Sequence, residues 1–198
     1  MSVDPRFVLW IDRDGTLVDD PGYLDDPKRL RLLPGAARGL ARLNAAGALA
    51  VLVSNQSGIA RGLMSRATVD LIHERLRREL ARQGARLDHI ELCPHLPSEL
   101  LPPGGAACDC RKPLPGMVLR VRSELKLEAG TLPEFVVGDK SADMLLARAV
   151  GAYAVLVRTG DGRRTEGELA ASGVDHVADD LDAAAAWILG HPDLGAGG

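Results

Sequence analysis

Cysteine is scarce in this chain: three in 198 residues, an odd number that excludes a closed disulfide framework. Positive charge is not in excess either. Lys and Arg number 24 against 27 Asp and Glu, a formal charge of -3, so the electrostatic footprint of a nucleic-acid-binding surface is missing. No apolar run approaches the roughly 18 residues of a membrane span. The start carries an acid at Asp4 and one short apolar run, which does not read as a signal peptide. There is no internal repeat and no linker that splits the chain. These absences predict a cytoplasmic protein without nucleic-acid or membrane partners, and the chain is expected to be a monomer. What is present is ordinary for a globular fold: 46% apolar and 26% charged residues, with length for one α/β domain over residues 1–198.

Short apolar runs punctuate the chain. Phe7–Ile11 is unbroken and stops at Asp12, as expected of a strand buried on both faces. Ala48–Val53 ends at Ser54, Phe135–Val137 at Gly138-Asp139, and Ala152–Val157 at Arg158. Asp88–Cys93 and Val174–Val177 add two further strand candidates. Helical spacing occupies the intervals: Ala36–Ala46, Ser65–Gln83, Met117–Leu127, Ser141–Val150 and Leu181–Leu189. Ser65 is a candidate N-cap, and Val69, Ile72, Leu76 and Leu80 share one face. Strand–helix alternation of this kind predicts a Rossmann-like three-layer αβα fold around a central parallel sheet. The stretch from Pro94 to Pro115 has no periodicity, and a loop of that length needs a reason for order. Residues 191–198 are expected to fray.

Trp10 and Trp187 are expected in the core. His73, His89, His176 and His191 show no partner pattern and are read as surface or helix residues. Asp25, Asp26, Asp179 and Asp180 read as solvated turns or caps, and Arg75 to Arg78 as an exposed helix face.

In open parallel sheets the carboxyl ends of the strands form the binding crevice. Asp12 and Asp14 follow one predicted strand, Ser54 and Asn55 another, Asp139 and Lys140 a third, so these groups should converge. Two carboxylates two residues apart can divide the labour of nucleophile and general acid–base. An isolated Asp-x-Asp-Gly is more often a plain turn, and the ordered company of the other pieces changes that reading. Ser54 offers a hydroxyl suited to a phosphate oxygen. Arg111 and Lys112 supply fixed positive charge ahead of a helix. A hard cation such as Mg2+ takes oxygen ligands together with substrate phosphate. Asp12, Asp139 and the backbone carbonyl of Asp14 could provide them, with Asp143 supporting that shell or orienting Lys140.

The ordered set Asp12-Arg13-Asp14-Gly15-Thr16-Leu17, Ser54, Lys112 and Gly138-Asp139 to Asp143 resembles the four motifs of the haloacid dehalogenase-like (HAD) phosphatases. That resemblance spans residues 7 to 158. It implies that Asp12 attacks phosphorus, that Asp14 protonates the leaving oxygen and then activates water, and that Mg2+, Lys112 and Ser54 hold the phosphoryl charge.

All three cysteines fall in the aperiodic stretch. Cys93-Pro94-His95 and Cys108-Asp109-Cys110 supply three thiolates and an imidazole, a complete tetrahedral zinc set with no open position. A closed set argues for a structural zinc that pins the loop and, through it, Arg111 and Lys112. The alternative is a few buried thiols and a surface histidine. This zinc-pinned loop, 93–110, is read as an insertion.

With the zinc loop, Ser54 to Gly62 and Cys108 to Pro113 make the chain similar to the heptose-bisphosphate and histidinol-phosphate phosphatase branch of that superfamily, over roughly residues 7 to 160. The branch implies no large cap domain. It implies a phosphorylated sugar substrate, D-glycero-D-manno-heptose 1,7-bisphosphate losing its 7-phosphate, in nucleotide-activated heptose synthesis. Histidinol phosphate is the rival within the branch. The pocket would be lined by Asp20, Pro21, Gly22 and Tyr23, Ser54, Asn55, Gln56 and Ser57, and Arg111, with Arg13, Lys112 and Lys140 as further substrate-binding candidates. The branch often has His before Gly-Tyr. Pro21 removes a donor and an ionisable group there, which bears on sugar or anomer preference. A receiver-type signalling domain is the rival from another class, but it has no use for a zinc clip or for Asp14. Intact Asp12, Asp14, Lys112 and Asp139 speak against an inactive binding module.

Overall fold

The six apolar runs become six parallel strands: β1 Phe7–Ile11, β2 Ala48–Asn55, β3 His89–Cys93, β4 Glu134–Gly138, β5 Tyr153–Val157 and β6 His176–Ala178. They come from a computed structural model that describes residues 4–102, 105–169 and 173–195. Among these residues the strands form one sheet in the order β3-β2-β1-β4-β5-β6. Helices α1 Ala36–Ala45, α2 Arg66–Ala81, α3 Gly116–Leu125, α4 Ser141–Val150, α5 Gly162–Glu168 and α6 Leu181–Leu189 alternate with them.

Side-chain alternation along a strand divides the molecule into two cores. Phe7, Leu9 and Ile11 of β1 face a layer built by Leu40 and Leu43 of α1, Ile72 and Leu76 of α2, and Leu181 and Ile188 of α6. Val8 and Trp10 face the opposite layer, with Met117, Val118 and Val121 of α3 and Met144, Leu146 and Ala147 of α4. This is the expected αβα arrangement. Trp10 is buried as predicted, and its indole Nε1 donates to Glu134 Oε2 at 2.6 Å. Arg122 of α3 donates to the other carboxylate oxygen at 2.8 Å, so one buried network ties β1, β4 and α3 together. Ser65 caps α2, accepting the Thr68 N–H at 3.0 Å. No helix of the described residues is long and apolar enough to cross a membrane.

Four expectations need correction. The last strand is three residues, displaced to His176–Ala178, because an edge strand holds register with only one neighbour. Helix α5, Gly-Arg-Arg-Thr-Glu-Gly-Glu, has no apolar periodicity and was not predicted. The segment after His191 is a 3₁₀ turn, Pro192–Leu194, and not a frayed end; the Arg6 guanidinium donates to the Leu194 carbonyl at 2.9 Å and the Tyr153 hydroxyl pairs with Asp193. The rest of that expectation, residues 196–198, lies outside the described residues, as do Pro103 and Gly104 of the 93–110 loop. Three of the histidines read as surface or helix residues take part in packing, His73 doing so on helix α2. His73 is buried, His176 stacks on Trp187 with ring centroids 4.7 Å apart, and His191 packs against Phe135 and Tyr153.

Candidate active site

The strand order reverses between β1 and β4: the chain proceeds outward through β2 and β3 on one side and through β5 and β6 on the other. The crevice at such a switch point is where an open α/β sheet presents its ligand groups. Asp12 directly follows β1 there and Asp139 directly follows β4. Oxygens of Asp12, Asp139 and Asp143 all lie within 4.8 Å of one another.

Lys112 reaches this trio from the loop before α3. Its Nζ lies 2.7 Å from Asp12 Oδ1 and 2.6 Å from Asp143 Oδ1, and donates to the Val53 carbonyl at 2.8 Å. Burial alone would lower its pKa; the two carboxylates outweigh burial and raise it, so the cation is fixed. Its backbone is held as well. Lys112 N donates to Asn55 Oδ1 at 3.0 Å and Asn55 Nδ2 returns a bond to the Lys112 carbonyl at 3.1 Å.

Asp139 is fully buried. Its Oδ2 accepts the Asp161 N–H at 2.8 Å, and Thr165 Oγ1 donates to its backbone carbonyl at 2.8 Å. Gly15 and Gly160 press on it, and a Cβ on either would overlap Oδ2. Asp139 Oδ1 has no hydrogen-bond partner. Burial, then the charge of Asp12, raises the Asp139 pKa to about 7. Three clustered carboxylates with one lysine and an orphaned buried oxygen form a donor set that fits a hard divalent cation. The carboxylate of Asp14 is not one of the three, so only its backbone carbonyl, assigned above, remains for a cation.

The Asp14 carboxylate turns to its neighbour. Arg13 Nε donates to Oδ1 at 2.9 Å and Arg13 Nη2 to Oδ2 at 2.8 Å, a bidentate clamp. Gln56 Nε2 donates to the same Oδ2 at 2.8 Å and to Ser54 Oγ at 2.8 Å, linking the end of β2 to Asp14.

A cavity of about 670 Å³ opens above these groups. Arg13, Asp20, Gly22, Tyr23, Ser54, Asn55, Gln56, Ser57, Arg111, Lys112 and Lys140 line it; Pro21 does not, and stands exposed at the rim. Lys140 Nζ bonds Asp20 Oδ2 at 3.0 Å and lies 3.8 Å from Asp139 Oδ2. Asp139, Asp12 and Asp20 overcome the effect of burial and raise its pKa.

The cysteine cluster lies on the same side of the sheet. Cys93 Sγ is 3.0 Å from Cys110 Sγ and 3.7 Å from Cys108 Sγ. His95 Nδ1 is 3.2 Å from Cys110 Sγ and 3.6 Å from Cys93 Sγ. Ligands on a tetrahedral zinc with bonds near 2.3 Å stand roughly 3.7 Å apart. Three sulfurs and a ring nitrogen at this spacing fit that ion. Burial pushes the Cys93 thiol up, the cost that a thiolate-binding cation removes.

Asp161 and Thr165, which hold Asp139, were not anticipated. Nor was His73, whose Nε2 faces Arg13 Nη1 at 3.4 Å.

The HAD-hydrolase-like family model matches residues 109–184. The chain is similar to a D-glycero-D-manno-heptose-1,7-bisphosphate 7-phosphatase from Thermosynechococcus vestitus, 41% identical over 196 residues, 94% of this chain and 97% of the relative. It is similar to a D-glycero-beta-D-manno-heptose-1,7-bisphosphate 7-phosphatase from Bordetella bronchiseptica, 37% identical over 92% of this chain and 97% of the relative. Among solved structures it resembles a D,D-heptose 1,7-bisphosphate phosphatase from B. bronchiseptica complexed with magnesium and phosphate, with TM-score 0.81 and 36% identity over 92% of this chain and 98% of that one.

Proposed function

We infer that the chain acts as its family does: it belongs to the D-glycero-D-manno-heptose-1,7-bisphosphate 7-phosphatases, haloacid dehalogenase-like hydrolases, and removes the 7-phosphate of that sugar bisphosphate. Residues 1–198 act as one phosphatase unit, with 93–110 as an inserted loop. The observation that carries this reading is the placement of Asp12 against Lys112, at the switch point of the sheet, with Asp14 held beside it.

In this reading Asp12 attacks phosphorus. A bond forms between its carboxylate oxygen and phosphorus as the bond to the sugar oxygen breaks, and Asp14 gives that oxygen its proton. Asp14, now a carboxylate, takes a proton from water as the water oxygen attacks the aspartyl phosphate. The phosphorus–Asp12 bond breaks and inorganic phosphate leaves. Lys112 and Ser54 stabilise the phosphoryl oxygens, in a reaction where positioning and charge supply most of the acceleration. Asp12, Asp139 and the Asp14 carbonyl, with Asp143 alongside, would hold Mg2+, which supplies positive charge to a site otherwise repelling a phosphate dianion. Cys93, His95, Cys108 and Cys110 would hold a structural zinc that keeps Arg111 and Lys112 over the cavity. Asp20, Gly22, Tyr23, Asn55, Gln56, Ser57, Arg111 and Lys140 face the sugar and its second phosphate, while Arg13 holds Asp14.

The test is phosphate release with Mg2+ from a panel holding both anomers of D-glycero-D-manno-heptose 1,7-bisphosphate, histidinol phosphate and fructose 1,6-bisphosphate. The expected result is a clear preference in kcat/KM for one heptose anomer. Preference for histidinol phosphate would retain the chemistry and replace the substrate; no release from any would overturn the reading.

A further inference from the structure

Arg13 is a guanidinium taken almost wholly out of water, with 1% of its side chain exposed. Such a group has five N–H donors and no acceptor, and each needs a partner. Nε and Nη2 face the Asp14 carboxylate, and Nη2 also reaches Gln56 Oε1 at 3.0 Å. The far corner, Nη1, faces His73 Nε2 at 3.4 Å, across 60 residues of sequence. Arginine can only donate, so a bond here requires the Nε2 lone pair and puts the ring proton on Nδ1. Burial, then the Arg13 charge, holds His73 neutral, with its pKa lowered to about 3. Helix α2 leaves the ring little freedom: Ser65 caps its start, and Val69, Ile72 and Leu76 are buried around the same face.

We propose that His73 is a positioning residue of the phosphatase reaction: it holds the far side of the Arg13 fork and so fixes the Asp14 carboxylate that exchanges protons with the leaving group and with water. The proposal rests on the phosphatase reading above. Without an acceptor at position 73 the buried Nη1 loses its partner, and the fork can turn to seek another. Asp14 turns with it. A misplacement near 1 Å is enough to lower the rate of a positioned proton transfer by about a hundredfold.

A structural role alone would lower activity on every substrate alike. Positioning of the acid makes a different prediction, because protonation of the leaving oxygen matters for a sugar alkoxide and hardly for nitrophenolate. The experiment measures formation of the phosphoenzyme by rapid quench, in Mg2+, for wild type, His73→Phe and His73→Gln. The substrates are D-glycero-D-manno-heptose 1,7-bisphosphate and p-nitrophenyl phosphate. For His73→Phe the expected loss with the sugar is about 10- to 100-fold. With the aryl phosphate it stays within about twofold, and His73→Gln, which restores an acceptor, recovers most of the sugar rate. Equal losses on both substrates, or none on either, overturn the proposal. Nitrogen-15 NMR of wild-type His73 tests the same geometry without a substitution: a neutral ring protonated on Nδ1 supports it, and one protonated on Nε2 overturns it. A wild type inactive on both substrates overturns the underlying reading and this proposal with it. An active wild type matched by His73→Phe overturns the proposal alone.

Discussion

The burial of His73 carries a measurable price in acid. In the unfolded chain its imidazole titrates at the ordinary 6.5; in the fold, burial first and the Arg13 charge second lower it to about 3. A histidine with a depressed folded pKa binds its proton more readily when unfolded. Its contribution to stability is therefore fully present above pH 6.5 and is lost as pH falls toward 3. The whole shift corresponds to about 5 kcal/mol, at about 1.4 kcal/mol per pH unit. Between pH 7 and pH 5 the loss is about 2 kcal/mol, a large fraction of the 5–15 kcal/mol typical of a domain. Urea unfolding of wild type and His73→Gln, in Mg2+ at fixed ionic strength, isolates the term. Every other group is common to both proteins, including Asp139, whose raised pKa acts with the opposite sign. At pH 7 the two stabilities differ by some fixed amount. As pH falls to 5 the wild type should lose about 2 kcal/mol relative to the variant, equivalent to roughly 4–8 °C in Tm. Parallel stability curves from pH 7 to pH 5 would refute the reasoning, since His73 would then keep an ordinary pKa in the fold and Arg13 would face no buried acceptor.

Asp12→Asn should reduce phosphate release to background while circular dichroism and bound metal at the cysteine cluster stay as in wild type, because it removes the proposed nucleophile and almost no volume. Cys108→Ser should lower bound zinc by elemental analysis, Tm and activity together, since metal affinity and loop folding are one equilibrium. Glu134→Ala strips Arg122 and the Trp10 indole of their shared buried partner, and should destabilise by about 3–5 kcal/mol in urea with KM unchanged. Gly160→Ala places a Cβ against Asp139 Oδ2 and the Gly15 backbone at a φ of +54°; calorimetry should find weaker Mg2+ binding, with the sheet intact by circular dichroism.

How much could be read beforehand follows from what kind of signal each element carries. Strand β1 was legible because an apolar run with no polar alternation has to be covered on both faces, and all five of its residues are buried. Helix α2 was legible from the Ser65 cap and the spacing of Val69, Ile72, Leu76 and Leu80. That same spacing holds the clue that went unused: position 73 falls four after 69 and three before 76, inside the buried stripe. A histidine there needed a partner, but nothing in the sequence says that Arg13 is near. Helix α5 has no stripe at all; Thr165 anchors it on Asp139, and Arg158 pairs with Glu166 at 2.7 Å. Such tertiary bonds leave no periodic trace. Asp12, Ser54 and Asp139 were legible as a set because they end or directly follow strands, and strand ends converge; Lys112 joined them through the family resemblance. The pairing within the set was not, since which carboxylate Lys112 takes and which one Arg13 takes depends on side-chain directions after the turn.

The two clusters are one construction. In the sheet, Asn55 at the end of β2 is in register with Cys93 at the end of β3. Gln56 N donates to the Cys93 carbonyl at 2.7 Å, extending that rung past the strands. From this rung both side chains reach the same three-residue segment: Cys93 Sγ meets Cys110 Sγ, and the Asn55 amide brackets the backbone of Lys112. The segment is thus held at both ends against neighbouring strand ends, and its lysine stands between Asp12 and Asp143. Removing the sulfur cluster leaves the Asn55 bracket and the two carboxylates to hold Lys112. The cluster is thus best understood as fixing where the Lys112 charge stands, while Asp12 and Asp143 fix that it is a charge. On this account loss of the cluster disturbs phosphoryl transfer through geometry and leaves the protonation of Lys112 as it was.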